Sequence, residues 1–160
     1  MAKEIERKFL IKGNSWRHLT KGTKYKQGYL STDKERSVRI RTINDKGYIT
    51  IKGISVGTTR SEYEYKIPID DAKKMLNELC VHPLIKKTRF KIQYGNILIE
   101  VDEFFGENEG LILAEVELNN ENQQLNLPDW IGKEVTNDSK YFNVNLVKNP
   151  FKYWPEPKDS

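Results

Sequence analysis

One pattern recurs through this chain: charged residues two positions apart, with an apolar or aromatic residue between them. Glu4-Ile5-Glu6-Arg7-Lys8 opens the series, and Arg39-Ile40-Arg41, Glu62-Tyr63-Glu64, Glu100-Val101-Asp102 and Glu115-Val116-Glu117 repeat it. Thr50-Ile51-Lys52 and Lys87-Thr88-Arg89 carry the same two-residue period. In an extended strand side chains alternate between two faces, so each stretch has a charged face and an opposite one that is mostly apolar. A single half-buried strand with its polar face in water would show the same alternation. Recurrence in nearly every strand is different, because acids and bases are each collected on particular strands. That arrangement points to a barrel with a charged lumen.

The rest of the chain supplies the strands for it. Residues 23–32 and 36–43 read as strands, and Asn44-Asp45-Lys46-Gly47 is a turn that returns residues 48–52 antiparallel. Residues 60–67, 84–93, 97–105 and 111–118 complete the set, with Tyr94-Gly95-Asn96 as a tight turn. Pro68 ends one strand, and Asp70 or Asp71 is placed to cap a helix reaching Cys80, with Ala72, Met75, Leu76 and Leu79 on its apolar stripe. Around Trp16 and Leu19 a short helix or turn is expected. A last helix is expected from Asn137 or Asp138, carrying Tyr141, Phe142, Val144 and Leu146. Residues 127–132 receive no strand. The expected fold is α+β, mainly β: an eight-stranded antiparallel closed β-barrel with a few covering helices, residues 1–148 forming the domain and 149–160 a loosely packed C-terminal tail.

A charged interior is costly unless its charges are paired, solvated or bound to ligand. The i, i+2 carboxylate pairs call for a compensating cation, and hard oxygen ligands suit Mg²⁺ or Mn²⁺. Arg39, Arg41, Lys52, Lys87 and Arg89 supply the opposite sign, with guanidinium forks matched to phosphate oxygens. Acids for metal and bases for phosphate describe a metal-polyphosphate site. Cross-strand ion pairing on a solvated face accounts for any one pair, but not for the whole series.

The bulk properties are compatible. A chain of 160 residues suits one domain, and the single cysteine, Cys80, reads as a packing residue in a reducing compartment. No apolar run approaches a membrane span, so a cytoplasmic protein without membrane attachment is expected. The net charge of +4 comes from 27 basic against 23 acidic residues, a mixed balance that permits a polyanionic ligand without requiring one. Nucleic acid is an unlikely partner because the alternation groups bases with acids instead of forming an outward basic stripe, and a homodimer stays open. His18 and His82 fall outside the alternating pattern and are not assigned to metal.

The Glu4-x-Glu6-x-Lys8 signature at the N-terminus resembles that of the CYTH domain, the triphosphate tunnel metalloenzymes. The resemblance continues through Arg39-Ile40-Arg41, Thr50-Ile51-Lys52, Glu62-Tyr63-Glu64, Lys87-Thr88-Arg89, Asp102 and Glu115-Val116-Glu117, and so spans nearly the whole chain. It implies a tunnel in which Lys8, Arg39, Arg41, Lys52, Lys87 and Arg89 grip a triphosphate. Glu4, Glu6, Glu62, Glu64, Asp102, Glu115 and Glu117 would hold divalent metal or orient water, and Glu100 shares their face. Lys8, Tyr29 and Glu6 are the catalytic candidates, with Tyr29 either a general base or a packing aromatic. The implied activity is hydrolysis of a triphosphate, first of all inorganic tripolyphosphate to pyrophosphate and phosphate. Adenylate cyclase, thiamine or RNA 5′-triphosphatase, and a non-catalytic polyphosphate- or nucleotide-binding module are the alternatives, since shared tunnel residues do not separate them.

Overall fold

The computed structural model describes residues 3–57 and 59–155, with side chains from Ile5 onward, and shows one antiparallel sheet built from β1 (Lys3–Ile11), β2 (Gly22–Ser31), β3 (Arg36–Ile43), β4 (Lys46–Gly53), β5 (Thr59–Ile67), β6 (Ile85–Tyr94), β7 (Ile97–Phe105), β8 (Ile112–Glu117) and β9 (Ile131–Glu134). Helix α1 (Ile69–Glu78) follows β5, and α2 (Asn143–Lys148) follows β9. The strand order is β5-β4-β3-β2-β6-β7-β8-β1-β9, and β1 also pairs with β5. Eight strands thereby close into a barrel, and closure leaves no open edge between them.

β1 serves three neighbours by dividing its length. Lys3, Glu4 and Ile5 pair with Ser61, Arg60 and Thr59 of β5, while residues 6–10 run along β8 from Glu117 to Leu113. Phe9 and Ile11 then pair with Glu134 and Ile131 of β9, across a register shift. The turns match their chemistry: the β3–β4 hairpin turns at Asn44, with φ +54°, and the β6–β7 hairpin at Gly95, with φ +61°.

The outward faces are covered in two patches. On β1, β7 and β8, Phe9, Ile99, Val101, Ala114 and Val116 pack with Trp16, Trp130 and Ile131. On β2, β3 and β4 the cover is α1, whose Ala72 and Leu76 pack with Ile40 and Cys80. The helix lies so close that a Cβ at Gly47 would meet the Ala72 Cβ at 2.7 Å. A third cluster is formed by strand side chains of inward parity, Leu10, Ile85, Phe104 and Leu113, packed against Tyr141, Leu146, Val147 and Trp154. The C-terminal segment therefore fills one end of the barrel.

Four expectations need correction. Pro68, not an aspartate, stands at the α1 N-cap; Asp70 and Asp71 lie in the first turn, where the helix dipole favours negative charge. The single C-terminal helix is two pieces, a 3-10 turn at Ser139–Tyr141 and α2, separated by an extended Phe142 (φ −70°, ψ 134°). Residues 127–132, left without a strand, run into β9, too short to show an alternation; its Gly132 lies where a Cβ would stand 3.0 Å from the Leu10 carbonyl oxygen. Residues 150–155 are docked, not loose: the Trp154 ring meets Tyr141 and Phe151 edge-on, and its Nε1 donates to the Asn149 carbonyl at 2.9 Å. The end of the expected tail, residues 156–160, lies outside the described residues.

Candidate active site

The barrel encloses a cavity of about 410 Å³. Among the described residues lining it, eight are Lys or Arg and six are Glu, so the wall is strongly charged with an excess of base. The topology separates the signs. Arg39 and Arg41 stand on β3, Lys87 and Arg89 on β6, and β2 between them contributes Tyr25. The Tyr25 ring lies 5.1 Å from the Arg41 guanidinium and 4.9 Å from that of Arg89, so one aromatic separates and steadies two cations. Glu100 of β7, Glu115 and Glu117 of β8, and Glu6 of β1 follow on the next three strands round the barrel, with Glu100 3.5 Å from Arg89.

Asp102 holds the basic arc from behind. It accepts from Arg89 Nε at 2.7 Å and Nη2 at 2.9 Å, and from Lys87 Nζ at 2.8 Å, at 2% exposure. Burial pushes this carboxyl up, but Arg89 and Lys87 outweigh it and hold it below the usual range. Burial works against charge on Arg89 too, and the Asp102 pairing overcomes it, keeping the guanidinium well above its ordinary value. For Lys87 burial wins: with Arg89 adding to it and Asp102 opposing, its ammonium is pushed down to about 7. Burial, with Arg39 and Arg89 beside it, likewise pushes Arg41 down to about 10, against the pull of Glu64. Glu64 Oε1 takes hydrogen bonds from Arg41 Nη2 at 3.1 Å and Thr50 Oγ1 at 2.8 Å, and lies 3.6 Å from Arg39. Arg39 and Arg41 each keep a buried Nε donor that no described acceptor meets. A site that crowds cations and leaves such donors unmet is completed by an anion.

The expected acids divide by what they touch. Glu62 pairs with Lys52 at 3.2 Å, and Glu64 and Asp102 are engaged by arginines and lysine as described. Glu6, Glu115 and Glu117 stand on adjoining strands, Glu6 opposite Glu117 and Lys8 opposite Glu115 in register. Burial pushes the Glu115 carboxyl up, but Lys8 at 3.8 Å, a hydrogen bond from the Glu6 carboxyl and the cations of β6 hold it well below the usual range. Two carboxyls close enough to share a proton form a donor pair for a hard divalent cation. Among the described residues no three acidic side chains enclose an ion by themselves, which fits a cation that takes its remaining ligands from water and phosphate oxygens. The Glu4 side chain lies outside the described residues.

Lys8 is buried, with Nζ 3.4 Å from the Tyr141 carbonyl oxygen and 5.4 Å from the Phe142 ring centre. Tyr29 lines the cavity at 5% exposure and also packs in the apolar cluster at the filled end. The structure thus brings Glu6, Lys8, Tyr29, Arg39, Arg41, Lys52, Glu62, Glu64, Lys87, Arg89, Glu115 and Glu117 to one cavity wall and sets Asp102 behind it. Strand alternation left unassigned Arg60, Tyr48, Lys91 and the α2 entry residues Phe142, Asn143 and Val144. Arg60, Tyr48 and Lys91 share the inward parity and were readable on that signal; the α2 residues, outside any strand, were not.

Residues 2–149 match the CYTH domain family. The chain is 54% identical to an inorganic triphosphatase of Acetivibrio thermocellus over 98% of its own length and all of that protein. It is 35% identical to an inorganic triphosphatase of Nitrosomonas europaea, covering 90% of this chain and 96% of that one. A solved inorganic triphosphatase structure superposes with a TM-score of 0.65 at 30% identity, over 89% of this chain and 96% of the other.

Proposed function

Because the chain belongs to the CYTH domain family, we propose that it hydrolyses triphosphates, first of all inorganic tripolyphosphate to pyrophosphate and phosphate, with Mg²⁺ or Mn²⁺. The observation that carries this reading is the basic arc of β3 and β6, with its unmet Arg39 and Arg41 donors, facing carboxylates across a cavity of about 410 Å³. Simple anion capture would gain nothing from the opposing acids. The two similar curated proteins and the solved structure, all named inorganic triphosphatases, support the same substrate.

Arg39, Arg41, Lys52, Lys87 and Arg89 bind the phosphate oxygens, and Asp102 holds two of them in place before substrate arrives. Preorganised donors of this kind act where charge develops without reorganising during reaction. Glu6, Glu115 and Glu117 would hold the divalent cation, with Glu4 on the same strand as Glu6. When bound, the cation neutralises developing charge on the transferring phosphoryl group and lowers the pKa of a water. Water attacks the terminal phosphorus, the bridging P–O bond breaks, and pyrophosphate leaves; the proton lost by the water passes to a base. Tyr29 is proposed as that base, with Lys8 as a further phosphate-binding cation.

The test is a substrate panel of tripolyphosphate, ATP and thiamine triphosphate with Mg²⁺ or Mn²⁺, reading phosphate, pyrophosphate and cyclic AMP. Phosphate release fastest from tripolyphosphate, and lost in Glu6→Gln, is expected. Cyclic AMP with pyrophosphate from ATP would replace the reading with the cyclase, and no turnover despite binding would leave the binding module.

A further inference from the structure

Asn143 opens α2 at the boundary between the charged cavity and the apolar cluster that fills the barrel end. Its Oδ1 accepts two hydrogen bonds, from Lys87 Nζ at 3.0 Å and from Gln27 Nε2 at 3.2 Å. An ammonium can only donate, so the Asn143 amide has one allowed orientation: the oxygen must face Lys87. The planar amide then turns Nδ2 away from both partners. Among the described residues no acceptor is paired with Nδ2, although Asn143 lines the cavity. Gln27 is fully buried, and donating its Nε2 here leaves its own Oε1 without a described partner. An unmet buried acceptor is expensive, so the arrangement holds Asn143 at a cost that a purely structural contact would not require.

We infer that Asn143 is a substrate-binding residue whose Nδ2 donates to the innermost phosphoryl group of the bound polyphosphate. This deepens the triphosphatase reading and rests on it. Beyond Asn143 the barrel interior is packed with Leu10, Ile85, Phe104, Leu113, Leu146 and Trp154. No room is left there for a substituent. The phosphoryl group at Asn143 must therefore be an unsubstituted end, so the substrate class is a linear polyphosphate or a nucleoside polyphosphate that enters free end first.

The experiment is calorimetric titration of inorganic tripolyphosphate into wild type, Asn143→Ala, Lys87→Met and the double variant, with chelator present so that only binding is read, beside phosphate release with Mg²⁺. If Nδ2 contacts phosphate, Asn143→Ala weakens binding by about tenfold or more, the scale of a lost hydrogen bond to a charged group, in the Lys87→Met background as in wild type. If Asn143 only positions Lys87, Asn143→Ala changes nothing in the Lys87→Met background, and the inference is overturned. Wild type that releases phosphate with Mg²⁺ yet does not bind in chelator would also overturn the inference, whereas wild type that does neither would overturn the triphosphatase reading itself.

Discussion

Lys87 is the residue at which burial and function pull hardest against one another. Its side chain is 1% exposed between Asp102 and Asn143, and its ammonium is pushed down to about 7 from the ordinary lysine value of 10.5. The folded chain therefore releases this proton near pH 7, while the unfolded chain keeps it until about 10.5. Between those limits the unfolded state binds more protons, so stability rises with pH across the window. Urea unfolding at a series of pH values should show that rise in wild type and lose it in Lys87→Met; an identical pH dependence in the two proteins would refute the account. Bound tripolyphosphate adds negative charge beside Lys87 and favours its protonated form. The placement of Lys87, Arg89, Arg39 and Arg41 on the cavity wall was readable from two-residue alternation because each stands on a strand. The pairing of Asp102 was not, since alternation gives the face of a carboxylate and not that Arg89 stands opposite it on the neighbouring strand.

Among the elements, the barrel strands followed from local sequence and the C-terminal segment did not. Strands β2 to β8 each carry several alternating positions bounded by turn residues or proline, so their existence needs no tertiary information. β9 has four residues, one of them a glycine, and it exists because β1 offers it Phe9 and Ile11. The break at Phe142 is likewise a tertiary effect: it lets Tyr141 face the apolar cluster while Asn143 faces the cavity. Trp154 secures this segment through its ring contacts with Tyr141 and Phe151. Trp154→Ala should cost roughly 3–5 kcal/mol, as removal of a buried large aromatic does. Chemical denaturation measures it, and a cost below about 1 kcal/mol would mean that the segment is not part of the core.

At the scale of the whole molecule, the inverted arrangement of charge inside and apolar residues outside is sustained by what covers the outside. Much of the outward apolar surface is buried, under α1 on one side and under Trp16 and the 125–131 segment on another, while Ile51, Tyr63 and Tyr65 on β4 and β5 stay exposed. Closure through the β1–β5 pairing brings the N-terminal acids beside the acidic strands β5 and β8, which sequence order alone would separate. Among the described residues no helix is long and apolar enough to cross a membrane. In the proposed function phosphates sit on the bases of β3 and β6 while the acids of β1 and β8 serve the cation. The most direct measurement follows tripolyphosphate binding by calorimetry and its hydrolysis by phosphate release, on one preparation, with and without chelator. Chelator should abolish hydrolysis while binding persists on the basic arc. Undiminished hydrolysis in chelator, or binding that vanishes with the cation, would contradict it.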